Sequence, residues 1–296
     1  MRIGVLELKE DVSPAAWVVD RIHPLGEGVR SLVPEGFEAY VRIFHPAHNV
    51  TAEVERTVRW AEIAEAHGRQ AHPEMQFPYV VGEWPHRNLP AGSLWNHEPA
   101  EGCLPRDVSV VLAALLTRFT TTPDRCWFCV WDGFGGSKLP YEQQPKVELP
   151  QRTYHLLGGP IDGIQETFDQ PIYPGPSRSA ESLRRRWFFR RKRGGWWGSR
   201  PGSAPGRGWR GFEPVPPRSD IPAWEPWQSA NLWWPDDRAW FVTTEIDLMS
   251  TYVGGSRACI DVLLAAPELE AMEAKTTHGI SYSSDSINPP PDEPWR

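Results

Sequence analysis

The strongest hydrophobic period in the chain runs over residues 105–119. There Leu104, Val108, Val111, Leu112, Leu115 and Phe119 fall on one helical stripe, and Ala113, Ala114 and Leu116 widen it. Pro105 suits the opening of that helix. A second helix is predicted over 256–265, with Cys259, Ile260, Leu263 and Leu264 inward and Pro267 beyond its end. A third is expected over 52–67, where Glu55 and Arg59 stand four apart and Gly68 follows as a stop. Ser13 followed by Pro14 reads as an N-cap and first helical position, opening a short helix that turns Trp17, Val18 and Ile22 inward.

Strand patterns alternate with these helices. Ala39, Val41 and Ile43 share one face of a half-buried strand over 38–44. Residues 126–131, C-W-F-C-V-W, are apolar throughout and too few for a helix, so they read as a central strand covered on both faces. Residues 239–246, A-W-F-V-T-T-E-I, are rich in β-branched and aromatic side chains. Shorter strands are expected at 147–149, 154–157 and 269–274, with helical turns over 160–168. Residues 69–104 show no period and read as a long packed loop.

The order lacks a regular β-α-β beat, which predicts an α+β fold: one domain with a mixed or antiparallel sheet and packed helices. The expected domain comprises 1–172 and 237–288, interrupted by an irregular insert at 173–236 and followed by a proline-rich tail at 289–296. The strand at 239–246 is expected to pair with the one at 126–131.

Composition changes the picture in two ways. Proline is high, at 31 of 296 residues, and 16 tryptophans are present, eight of them within 173–236. The N-terminus carries acidic residues where a signal peptide needs an apolar run. The longest apolar run, 108–116, is far short of the roughly 20 residues of a membrane span. These features predict a cytoplasmic protein whose four cysteines are reduced.

Charge divides the chain sharply. Residues 178–218 hold eleven Arg and one Lys against two Glu, 12 − 2 = +10. The whole chain is −7, so the other 255 residues sum to 19 − 36 = −17. Arginine neutralises phosphates and tryptophan offers a stacking surface, so the segment reads as a contact for RNA or DNA. Arg184, Arg185, Arg186, Arg190, Arg191, Lys192 and Arg193 would neutralise phosphates, while Trp187, Trp196 and Trp197 would stack. The R-G-G at 193–195 and the R-G pairs at 207–208 and 210–211 resemble the arginine-glycine arms of some RNA-binding proteins. The same interleaving of basic and aromatic residues suits an anionic lipid surface, and a passive surface insertion fits it too.

Candidate chemistry is sparse. Cys126-x-x-Cys129 has no second pair to complete a zinc site, and strand alternation points its thiols to opposite faces. Seven of nine histidines lie within 23–97; His45-Pro-Ala-His48 and His67-x4-His72, with Glu74 or Glu98, could supply a metal site, but such spacing fits many surface loops and no H-E-x-x-H is present, so neither metal nor cofactor is expected. Gly254-Gly255-Ser256 lacks the lysine and spacing of a phosphate loop and is explained by a Ser256 N-cap. Asp132 follows one strand, and Glu245 and Asp247 end and follow another. Carboxylates sharing one cleft edge there, beside Trp131 and Trp240, would permit acid–base work.

Two segments, C-W-F-C-V-W-D-G-F-G (126–135) and P-D-D-R-A-W-F-V-T-T-E-I-D-L-M-S-T-Y-V-G-G-S (235–256), resemble a family of actinobacterial cytoplasmic proteins without an established activity. The resemblance covers most of 15–172 and 233–288. It implies compartment and origin, and no catalytic residues. The leading expectation is a non-enzymatic binding or accessory protein. An enzyme with an acidic, aromatic cleft is the second, and an immunity-like module whose acidic body meets a protein partner is the third.

Overall fold

Alternation and apolar runs become strands wherever a neighbour completes the hydrogen-bond ladder, and the computed structural model shows where. It describes residues 1–51, 55–82, 92–134, 139, 144–150, 152–168 and 227–291. The first half of the chain holds β1 (Arg2–Ile3), β2 (Leu6–Leu8), α1 (Ala16–Val19), β3 (Ala39–Phe44), β4 (Ala47–Val50), β5 (Glu55–Val58), α2 (Trp60–Ala66), α3 (Phe77–Val81) and α4 (Arg106–Leu116). Then come β6 (Cys126–Trp131), β7 (Val147–Leu149), β8 (Arg152–Gly159), β9 (Leu232–Pro235), β10 (Trp240–Thr244), β11 (Ser250–Gly255), α5 (Arg257–Ala265) and β12 (Glu270–Ala274).

Ten strands make one sheet in the order β1-β2-β8-β6-β9-β10-β11-β3-β12, with β7 beside β8; β4 and β5 form a separate hairpin. Every pairing is antiparallel. With helices packed on it, this is an α+β fold. Among the described residues no helix is long and apolar enough to cross a membrane.

Both faces of the sheet are covered, which is why its central strands read as continuous apolar runs. On one face Val41, Phe128, Trp233 and Val242 meet Leu112 and Leu116 of α4 and Ile260 and Leu263 of α5. On the other, Cys129, Leu156, Trp234, Phe241 and Tyr252 pack against Trp17, Val18 and Val33 of the N-terminal segment. Trp17 meets Trp234 and Phe241 edge-on at 6.1 and 5.8 Å between centroids, geometries that aromatic quadrupoles favour. A third cluster joins Phe44, Trp60, Phe77 and Trp95, with successive rings 5.0–5.1 Å apart.

Several expectations are corrected. The strands near 126–131 and 240–244 are not direct neighbours, because β9 lies between them. β9, L-W-W-P, falls in the span expected to be irregular, yet Trp233 and Trp234 are buried. Its tryptophans, followed by Pro235, belong to the core, a placement that only cross-strand partners reveal. The predicted helix at 52–67 is instead β5 followed by α2, with Arg59 in an extended conformation between them. Arg56 therefore pairs with Glu62 at 2.8 Å, in place of a Glu55–Arg59 pair. α2 starts where it does because Glu270, from β12, accepts from the Trp60 and Ala61 N–H groups at 2.6 and 2.7 Å. Ser13 caps no helix; its hydroxyl bonds the Asp11 carboxylate at 3.0 Å. The 69–104 stretch contains α3, and β3, expected half-buried, is buried at all six positions.

Candidate functional site

β6 and β10 both run antiparallel to β9, so their C-terminal ends lie at the same end of the sheet. Asp132 follows β6, Glu245 and Asp247 follow β10, and β8 starts there with Arg152. The three carboxylates singled out in the sequence thus share one end of the sheet, but strand alternation puts them on different faces.

On the helix-covered face, His155 of β8 lies opposite Val130. Its Nε2–H donates to Asp132 Oδ1 at 2.8 Å, and Lys146 donates to Asp132 Oδ2 at 2.6 Å. The carboxylate fixes the imidazole tautomer and leaves Nδ1 as the free lone pair. That nitrogen is buried without a hydrogen-bond partner among the described residues. Burial lowers the His155 pKa, and the neighbouring Asp132 opposes the shift. The trio resembles a base with its orienting acid, but His155 is only 3% exposed, so no substrate reaches it in this conformation.

On the opposite face, Arg152 bonds Glu245 Oε1 at 2.8 Å and Asp247 Oδ2 at 3.0 Å, with its guanidinium 5.9 Å from the Trp131 ring centre. Arg152, Tyr154, Thr243, Leu232 and Glu245 line a cavity of about 20 Å³, room for about one water molecule. Burial pushes the Tyr154 phenol well above its ordinary value. Trp240, expected near this cleft, is a core residue with no exposure whose indole N–H donates to the Leu116 carbonyl at 3.1 Å. The arrangement clamps β8 to the end of β10.

Glu245 is 7% exposed, so removing its cation leaves a mostly buried carboxylate with fewer partners. Arg152→Ala is expected to cost about 2 kcal/mol in urea unfolding. Asp247→Ala, at a carboxylate 66% exposed, is expected to cost under about 0.5 kcal/mol. Equal effects from the two substitutions would contradict the clamp.

The remaining sequence candidates separate cleanly. Cys126 and Cys129 are free and buried, in different clusters on opposite faces. Burial pushes the Cys126 thiol up to about 12 and raises Cys129 as well, so neither is a nucleophile at neutral pH. Ser256 caps α5, its hydroxyl accepting from Cys259 N–H at 3.2 Å. Gly254 packs under Phe37 and Val33: a Cβ there would meet them at 2.6 and 2.8 Å, so the glycine serves close packing. No group of three or more His, Cys, Asp or Glu suited to a metal ion occurs among the described residues. The candidate nucleic-acid contacts, Arg184, Arg185, Arg186, Trp187, Arg190, Arg191, Lys192, Arg193, Trp196 and Trp197, lie outside the described residues.

His155, Lys146 and Arg152 were not singled out in the sequence. Their roles come from partners 23, 14 and 93 positions away, and no short motif joins such pairs. No protein-family model, curated protein or solved structure matches this chain.

Proposed function

We propose that this is a cytoplasmic binding protein whose segment 178–218 contacts nucleic acid through arginine–phosphate pairing and tryptophan stacking. The observation that carries the reading is charge separation: +10 in 41 residues, 12 − 2, on a chain whose remainder is −17. A field of that strength recruits polyanions without reading sequence. The paired carboxylates at the sheet end support a structural role for Asp132, Glu245 and Asp247 in place of acid–base catalysis.

The framework supplies a clean test. Phe168 N–H donates to the Gln228 carbonyl at 3.1 Å, so the chain ends flanking residues 169–226 are tied to each other directly. Shortening the connection between ends already held together does not raise the closure cost. A variant lacking 178–218 is therefore expected to melt within about 4 °C of the full chain, roughly a 1 kcal/mol change or less for a protein of this size.

Binding is checked by fluorescence anisotropy with labelled single-stranded RNA and duplex DNA across a salt series. If six of the twelve basic residues meet phosphates, the slope of log K against log salt is about −4 for a single strand. Affinity then falls roughly 300-fold between 50 and 200 mM salt. The deletion variant is expected to lose this binding entirely. Equal binding by both proteins, or none by either, overturns the reading.

A further inference from the structure

β12 is the last strand of the sheet and pairs only with β3 among the described strands. An antiparallel edge of this kind presents unpaired N–H and C=O groups to another chain. At its N-terminal end lies a pocket of about 180 Å³. The buried side chains Ile43, Phe44, Val108 and Leu269 line it together with Asp107, Glu268 and Glu270, and more of its lining is polar than apolar. Arg59 also lines it and donates to the Pro267 carbonyl, so the lining charge is 1 − 3 = −2. Glu270 is engaged by the α2 backbone, whereas Asp107 and Glu268 are exposed.

Size and chemistry narrow the occupant. Cofactor and drug-sized sites run to about 300–1,000 Å³, so this pocket takes a single side chain. Apolar side chains beside acidic ones suit a long aliphatic stem with a cationic head. A strand at the end of a sheet beside such a pocket is the arrangement used in strand addition, where main-chain bonds supply affinity and the pocket supplies specificity. We propose that β12 and this pocket dock an extended basic peptide, with one arginine or lysine side chain entering the pocket between Asp107 and Glu268.

The test uses the full-length protein and fluorescein-labelled heptapeptides Thr-Val-Thr-Xaa-Thr-Val-Thr, in which Xaa is arginine, norleucine or glutamate. The arginine peptide is expected to bind at least ten-fold more tightly than the glutamate peptide. The double substitution Asp107→Asn with Glu268→Gln should erase that preference and leave norleucine binding unchanged. Glu268→Gln alone, at an exposed side chain, should reduce the preference at least three-fold and guards against a folding defect from Asp107, which bonds the Val108 N–H. Equal binding of the arginine and glutamate peptides, binding of none, or an undiminished preference in both variants would overturn the proposal. The segment 178–218 is identical in the wild-type and substituted proteins, so a change of preference between them reports the pocket and not that segment.

Discussion

Replacing Arg42 by methionine is expected to lower the unfolding free energy by about 3–5 kcal/mol and the melting temperature by about 10 °C. Arg42 is 1% exposed at the middle of β3. Its guanidinium donates to the carbonyls of Pro73 and Met75, both at 2.9 Å, and to Ser250 Oγ at 3.0 Å. It also lies 4.5 Å from the Phe44 ring centre and 5.7 Å from those of Trp60 and Tyr252. One side chain thus joins the sheet, the 73–75 loop and the third aromatic cluster. Methionine fills much of the volume but leaves acceptors without donors, each costing about 1–3 kcal/mol when buried, and forfeits the cation–π contacts. Arg42→Lys should recover less than half of the loss, because a point ammonium cannot span the acceptors that a planar fork reaches. Chemical denaturation of the three proteins decides it. A methionine variant within 1 kcal/mol of wild type would show that the guanidinium is dispensable.

Acid is expected to weaken the fold well above the range where carboxylates titrate. His45 has no exposure. Its Nδ1–H donates to the Ala100 carbonyl at 2.6 Å, and its Nε2 accepts from the Thr251 hydroxyl at 2.9 Å, which in turn meets Thr244 at 2.7 Å. The carbonyl accepts only, so the ring is the neutral Nδ1–H tautomer. Burial lowers the His45 pKa to about 4, and the bond to Ala100 opposes this while Arg42 adds to it. The unfolded chain takes up its proton near 6.5 and the folded chain near 4. Within that window the unfolded state binds more protons, so stability falls as pH drops. His45 alone accounts for about 2.5 kcal/mol between pH 7.5 and 4.5. His48 and His155, also lowered by burial, act in the same direction, whereas Glu270, raised by burial, acts in the other. Urea unfolding of wild type and His45→Gln at pH 7.5, 6 and 4.5 measures the effect. Glutamine preserves a donor and an acceptor but does not titrate, so its pH dependence should be shallower by about 2 kcal/mol. Parallel curves would assign the acid sensitivity elsewhere.

Elements whose partners are near in sequence, or whose burial is uniform, were legible from the residues alone. The α4 stripe of Val108, Leu112 and Leu116, the apolar run of β6 and the Ser256 cap of α5 each carry their own local signal. So does the α+β class, because helix and strand periods differ by a factor that side-chain spacing reveals. The division of charge between 178–218 and the rest needs no structure at all. Tertiary structure decided the rest. β9 is a strand because β6 and β10 flank it; by itself L-W-W-P gives no period. α2 begins at Trp60 because a carboxylate 210 positions away caps its N–H groups. Asp132 and Glu245 lie at one sheet end yet on opposite faces, since each face is set by register across strands that the chain visits out of order. Arg42, polar in an apolar strand, looks like a solvent-facing residue until acceptors 31 and 33 positions away close over it. Local pattern is written in nearest neighbours, whereas the satisfaction of buried charge depends on groups that only the folded chain brings within 3 Å.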